Sequence, residues 1–300
     1  MRVDPNYVSN LANALDQTQL RQQQWSQELS SGVRVNSLSD DPLAAGENVL
    51  LLNQIQRDDT FTQSSSLVEG RLQVADSALG SVVSQLTQAI SLATSANNGT
   101  MSPGDVKSVA SQISGILDEV QSLANTSYQG QYIFAGGKSS TAPFSTSTAS
   151  SPAVTSYGGD GGVNYLETPN GQRVQLNVPG DQIFLGSGAN SVFGALNNLV
   201  ADYASGTVNA AQAAADTASL NTALGYLSQQ RVVIDDSISR LTAASDSVTS
   251  EKTQLTTAQT NLMQADAAQV ATQLSLAETQ QTALMSVISQ LGSGSLFDKL

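Results

Sequence analysis

The sequence predicts a mainly α protein: an elongated, U-shaped rod of long helices, built as a terminal coiled coil plus a helical bundle, with a small β-rich insert at the tip. Three observations carry this. The first is a 3.5-residue apolar repeat near the C-terminus: Leu220, Leu224, Leu227, Arg231, Ile234, Ile238, Leu241, Ser245, Val248, Lys252, Leu255, Ala258 and Leu262. It slips by one position and resumes at Met263, Ala267, Val270, Leu274, Ala277, Gln281, Leu284, Ile288 and Leu291. Such spacing marks helices packed along a narrow seam. If wholly helical, Tyr226 to Leu291 would span about 100 Å at ~1.5 Å per residue, wider than a compact core. The slip is where the helix is expected to break or bend. The second observation is a matching N-terminal seam, Val8, Leu11, Leu15, Thr18, Gln22, Trp25 and Leu29. The third is a change of composition from Lys138 to Gly188, which holds Pro143, Pro152, Pro169 and Pro179 among many Gly, Ser and Thr.

Taken in order, the first helix has Pro5 where a first-turn proline is tolerated and Gly32 where a helix ends. Its polar seam positions leave it marginal alone. Asp41 is a good N-cap and Pro42 fits the first helical position, so a second helix starts there. Its seam runs Val68, Leu72, Ala75, Leu79, Val82, Leu86, Ala89, Ala93, and Asn97-Asn98-Gly99 stops it. Ser102-Pro103 restarts a helix through Val106, Val109, Ile113, Ile116, Val120 and Leu123. YQGQYIFAGG, Tyr128 to Gly137, is aromatic, β-branched and bounded by glycines, which is strand chemistry. Val174-Gln175-Leu176-Asn177-Val178 alternates, and Pro169-Asn170-Gly171 is a turn signal. Ser191 caps a short helix with Val192, Leu196, Leu199 and Tyr203, ended by Gly206. The expected domains are therefore a terminal coiled coil from 1–40 and 263–300, ordered only on assembly, a bundle from 41–137 and 189–262, and an outer β-rich domain from 138–188 that reads as separable from the rest.

Composition narrows function. Charged residues are 12% of the chain, against roughly 25% in an ordinary domain. Such weakly charged helix faces can lie against copies of themselves without burying many charges. A net charge of −13 disfavours nucleic acid and anionic membrane surfaces as partners. The chain has neither cysteine nor histidine, so thiolate chemistry is excluded and the commonest general base and metal ligand are missing. No catalytic, cofactor or metal site is expected. Met1 to Ala14 holds no apolar run fit for a secretory signal, and no stretch approaches a membrane span.

The tempting motifs read blandly. The acidic doublets Asp40-Asp41, Asp58-Asp59, Asp118-Glu119 and Asp235-Asp236 are expected as caps and solvated faces, because adjacent helical residues do not face each other. Gly158-Gly159-Asp160-Gly161-Gly162 lacks the Lys-Ser/Thr of a phosphate loop and the spaced acids of a calcium loop, and reads as a flexible turn. Two sequons, at Asn98 and Asn125, carry little weight.

One stretch is specific. SSGVRVNSLSDDPLAAG, Ser30 to Gly46, resembles the N-terminal signature of bacterial flagellins and their relatives, close to S-S-G-x-R-I/V-N-x-x-x-D-D. The matching positions are Ser30, Ser31, Gly32, Arg34, Val35, Asn36, Asp40 and Asp41. Pro42, YQGQYIFAGG and the ending Ser295 to Leu300 resemble the hook–filament junction branch of that family, and Asp266 to Ala283 is similar to its terminal helix. The resemblance covers both termini and leaves Lys138 to Gly188 weakly constrained. It implies a secreted structural component of the flagellum that supports motility and sits at the hook–filament junction. The implied partners are the first hook-associated protein, flagellin, copies of itself in a ring or helical lattice, the type III export apparatus and an export chaperone, with no nucleic acid, membrane or cofactor. It also implies that the terminal seams pack between subunits, through Val8, Leu11, Leu15, Trp25, Leu29, Val270, Leu274, Leu284, Ile288 and Leu291. Flagellin itself is the alternative, against which Pro42, YQGQYIFAGG and the small insert argue. A coiled-coil adhesin using the insert for recognition is a further one, and Tyr157, Tyr165 and Phe184 are few for an aromatic groove.

Overall fold

A computed structural model describes residues 7–149, 151–169, 171–186 and 191–293. The expectations at Pro5, Asn170, Gly188 and Ser295 to Leu300 lie outside these residues. Val8 and Leu291 lie within helices, but their side chains are outside the described set. The chain divides into two compact units, 1–57 with 250–300, and 58–249. The long helices α2 (Pro42–Ala96) and α5 (Ala210–Met263) contribute to both.

In the first unit, α1 (Tyr7–Ser31) packs against α6 (Ala267–Ser293). They run antiparallel, because the end of α1 meets the start of α6 through a bridge between Val33 and Gln264. The long C-terminal run is two helices, broken between Met263 and Ala267, beside the one-residue slip of the apolar repeat. The break has a local cause: Asp266 Oδ1 accepts the Ala268 and Gln269 N–H groups at 3.0 and 3.1 Å and so caps a new helix.

The second unit is a bundle of the rest of α2 and α5 with α3 (Pro103–Ala124) and α4 (Val192–Ala204). The predicted seams form its core, with Leu79, Val82, Leu86, Ile113, Leu199, Leu220 and Leu227 fully buried. Each side chain so removed from water contributes about 1.5–3 kcal/mol. Ser102 and Asp105 make a reciprocal capping box at the start of α3. Of the two charged residues in the C-terminal seam, Arg231 and Lys252, the first is neutralised within the bundle. Its Nε and Nη2 donate to the two carboxylate oxygens of Asp76 on α2 at 2.7 and 3.0 Å. The solvated reading of the acidic doublets fails at Asp58, which is fully buried, while Asp118, Glu119, Asp235 and Asp236 are exposed or half-exposed.

Among the described residues, three antiparallel two-stranded pairs occupy the centre of the sequence: β1 (Ser127–Tyr128) with β2 (Gln131–Tyr132), β3 (Phe144–Ser147) with β4 (Val154–Tyr157), and β5 (Tyr165–Glu167) with β6 (Arg173–Gln175). YQGQYIFAGG is therefore a tight hairpin and not one strand. Gln129 and Gly130 both have positive φ, 51° and 78°, which a two-residue hairpin turn requires. The alternation around Asn177 also stops short. Asn177 is buried, with Oδ1 accepting the Asn164 N–H at 2.7 Å and Nδ2 donating to Gly162 O at 2.8 Å.

The insert shares a core with its flanks. Phe144, Tyr157 and Phe184 from within it stack with Phe134 and Phe193 from either side, ring centroids 5.2–5.8 Å apart. The aromatics considered for a recognition groove are instead divided: Phe184 is buried in this cluster, Tyr157 is half-buried beside it, and Tyr165 carries the Arg173 guanidinium over its ring at 4.5 Å.

Candidate functional site

The signature Ser30 to Pro42 forms the corner where the ends of four helices, α1, α2, α5 and α6, meet. Gly32 closes α1 with φ +70°, and its N–H donates to Glu28 O at 2.8 Å. The chain then runs beside the α5–α6 break. Arg34 N–H donates to Met263 O at 2.7 Å, and Ala265 N–H donates to Gly32 O at 2.9 Å. Arg34 joins two elements through its fork: Nη1 meets Asp41 Oδ2 at 3.1 Å, and Nη2 donates to Leu262 O at 3.3 Å. Val35, next in the chain, is buried.

Each remaining signature residue but one has a task in this turn. Ser31 Oγ accepts the Val33 N–H at 3.2 Å, and Asn36 Nδ2 donates to Val33 O at 3.0 Å. Asp40 Oδ2 accepts the N–H groups of Asn36 and Ser37 at 3.0 and 2.8 Å. Asp41 Oδ1 accepts the Ala44 N–H at 3.0 Å, capping α2, whose first residue is Pro42. The exception is Ser30, exposed beside the α1–α6 groove. Both carboxylates are held below the usual range. For Asp40 the main cause is the Ser37 N–H, and for Asp41 the Ala44 N–H followed by the Arg34 guanidinium. They are structural acceptors, ionised at neutral pH. Asp266 belongs to the same corner and sequence reasoning missed it, although an Asp before a helical run is an N-cap signal.

The paired helices carry the positions assigned to subunit packing. On α6, Val270 and Ala277 are buried and Leu274, Gln281, Leu284 and Ile288 half-buried, all on the predicted seam. On α1, Leu11 is buried and Leu15, Thr18, Gln22 and Trp25 half-buried. Leu29 departs from the pattern at 41% exposure, and Glu28 takes the buried place. Leu20, Leu276, Met285 and Val287 are large apolar side chains left on the outside of the pair.

The glycine loop at Asp160 is a lock and not a flexible turn. Asp160 Oδ1 accepts the Gly137 and Gly162 N–H groups at 2.5 and 3.1 Å. Its carbonyl oxygen lies 2.9 Å from the Tyr157 hydroxyl, which is equally close to Phe134 O. Burial, helped by the charge of Asp181, pushes the Tyr157 hydroxyl up to about 12, so it stays a donor. The loop ties YIFAGG to β4, which is a positioning role. Among the described residues, no group of three or more His, Cys, Asp or Glu side chains could hold a metal ion, and no helix is long and apolar enough to cross a membrane.

The corner and α1 lie in a region with counterparts in known proteins. Residues 6–139 match the bacterial flagellin N-terminal helical region. The chain is 34% identical over 140 residues to flagellar hook-associated protein 3 of Escherichia coli strain K12, covering 46% of this chain and 44% of that one. It is 29% identical over 187 residues to flagellar hook-associated protein 3 of Salmonella typhimurium strain LT2, covering 62% and 57%. The chain thus spans about half the length of the curated relatives it matches. Its fold is similar to that of flagellar hook associated protein-3 from Legionella pneumophila, with TM-score 0.63 and 14% identity, over 71% of this chain and 98% of that one. Signature, sequence relatives and mainly α fold agree: over residues 6–139 the chain matches the flagellin N-terminal helical region, and it is similar in sequence and in fold to flagellar hook-associated protein 3.

Proposed function

We propose that this chain is a structural adaptor of the bacterial flagellum, secreted and placed at the hook–filament junction, and not an enzyme. It joins the first hook-associated protein to flagellin and packs beside copies of itself. Export proceeds through the type III apparatus with the help of a chaperone. In this reading the segments 1–40 and 263–300 form the inner domain, 41–137 and 189–262 the bundle, and 138–188 the outer part. Val8, Leu11, Leu15, Trp25, Leu29, Val270, Leu274, Leu284, Ile288 and Leu291 shape the packed terminal helices.

The observation that carries the proposal is the corner. Residues matching a flagellin signature are there a set of caps and cross-links that hold α1 against α6. The pair so held still exposes apolar side chains, as a surface intended for a partner does. Deleting the gene should give cells with hooks but no filaments, which release unassembled flagellin into the medium. Full-length filaments after deletion, or growth of the purified protein alone into long filaments, would replace this reading with that of a filament subunit.

A further inference from the structure

The α1–α6 pair has two flanks of different chemistry. One groove, about 570 Å³, is lined by Gln19, Gln22, Gln23, Gln27 and their neighbours. The other, about 460 Å³, is more apolar: Ala14, Thr18, Ala283, Leu284 and Val287 line it together with Gln17, Gln280 and Arg21. Leu276, 54% exposed, extends the apolar flank along α6, since positions 276, 283 and 287 share one helical stripe. At 100° per residue this stripe lies roughly a third of a turn from the seam that faces α1.

The far side of α1 carries the complement. Leu20 is 65% exposed there, about half a turn from the seam. Asp16, also exposed, lies one turn before it on the same face. Charge makes this arrangement specific. The charged residues of α1 and α6 are Asp16, Arg21, Glu28 and Glu278, so Arg21 is the single cation of the pair. Neither Asp16 nor Arg21 forms an ion pair among the described residues. They are five positions apart and point in different directions, so one copy cannot join them by itself.

We infer that the apolar groove receives the outward face of α1 from a second copy of this chain, with Leu20 seated in the groove and Asp16 set against Arg21 of the receiving copy. The inference rests on the adaptor reading and names the contact by which copies meet. Knob and groove are different surfaces, so the contact is heterologous and repeats from copy to copy around a ring or along a short helical array. The glutamine flank is left for other uses.

The chain has no cysteine, so disulfide trapping is clean. Full-length Leu20→Cys and Ala283→Cys proteins, mixed and oxidised, should form a cross-linked dimer that neither forms alone. Leu20→Cys mixed with Gln23→Cys, on the glutamine flank, should not. Sedimentation equilibrium at low salt supplies the second arm. Asp16→Arg and Arg21→Asp should each weaken self-association by about tenfold, since like charges then meet across the contact. The protein carrying both substitutions restores an opposite-charge contact with its sign reversed, and should return to within a few-fold of wild type. Trp25 emission, unchanged in every variant, shows that the helix pair is intact. If the cross-link forms equally on the glutamine flank, if the double reversal fails to restore association, or if wild-type protein shows none, the contact is wrong. The deletion phenotype remains a separate test, so the adaptor reading can survive that failure.

Discussion

Gly136→Ala tests the Asp160 lock. Gly136 has φ +67°, and a Cβ there would overlap the Asp160 carbonyl oxygen and carboxylate, with the carbonyl carbon 2.9 Å away. The left-handed backbone alone costs a non-glycine residue about 1–2 kcal/mol. Forcing a methyl group into a filled site adds about 1–3 kcal/mol. The sum is about 2–5 kcal/mol. Two controls separate the contributions. Gly130 has φ +78° with nothing within 4 Å of a built Cβ, so Gly130→Ala should cost only the backbone part. Gly46 lies inside α2 with open space around it, so its replacement by alanine should stabilise the helix by about 0.5–1 kcal/mol. Urea unfolding followed by far-ultraviolet circular dichroism measures all three. Hydrogen exchange at Ile133 to Gly137 localises the effect. Tryptophan emission does not serve here, because the single tryptophan, Trp25, is on α1. If Gly136→Ala is no more costly than Gly130→Ala, the glycines at the lock are not there for close approach.

Other outcomes follow from the same structure. Asp202 is raised above the usual carboxylate range, first by burial and then by the carboxylate of the buried Asp216 beside it. The stability this contributes is fully present below the unfolded value and is lost as pH rises through the folded one. Asp202→Asn should therefore raise the neutral-pH melting temperature and flatten its pH dependence on the alkaline side of the ordinary carboxylate range, and an unchanged profile would count against a shared proton. Arg231→Ala leaves Asp76 without its partner in the bundle and should cost about 1–2 kcal/mol in urea titrations, between the values for exposed and buried pairs. Leu15→Asp places a charge in the half-buried α1–α6 seam. It should cost several kcal/mol in packed surroundings and reproduce the filament-less phenotype, with secretion assayed alongside. Replacing Ser139 to Gly186 by a Gly-Ser linker removes three of the five stacked rings and should lower the melting temperature of the whole bundle. A linker variant as stable as wild type would show the insert to be separable.

Helices and their faces are legible in consecutive residues. Apolar spacing is a local property, and the residues that repeat every 3.5 positions from Leu220 onward are largely those the helix turns inward. Stops and starts are equally legible at Gly32, Asp41, Ser102 and Gly206, because caps act within one turn. What the polar residues do is settled by the folded chain. Whether Asp58 is solvated or buried, or whether Arg231 is an exposed seam position or the partner of Asp76, depends on residues far away in sequence. So does the fate of the glycine loop: Asp160 is a lock only because Gly137 comes within hydrogen-bond distance of it. The corner shows both levels at once. Its residues are recognisable as a signature from Ser30 to Pro42, yet the reason for Arg34 is the carbonyl of Leu262, which lies 228 residues further along the chain. Local periodicity is written into neighbouring residues, while hydrogen-bond partners across the fold are selected by packing that no short stretch contains.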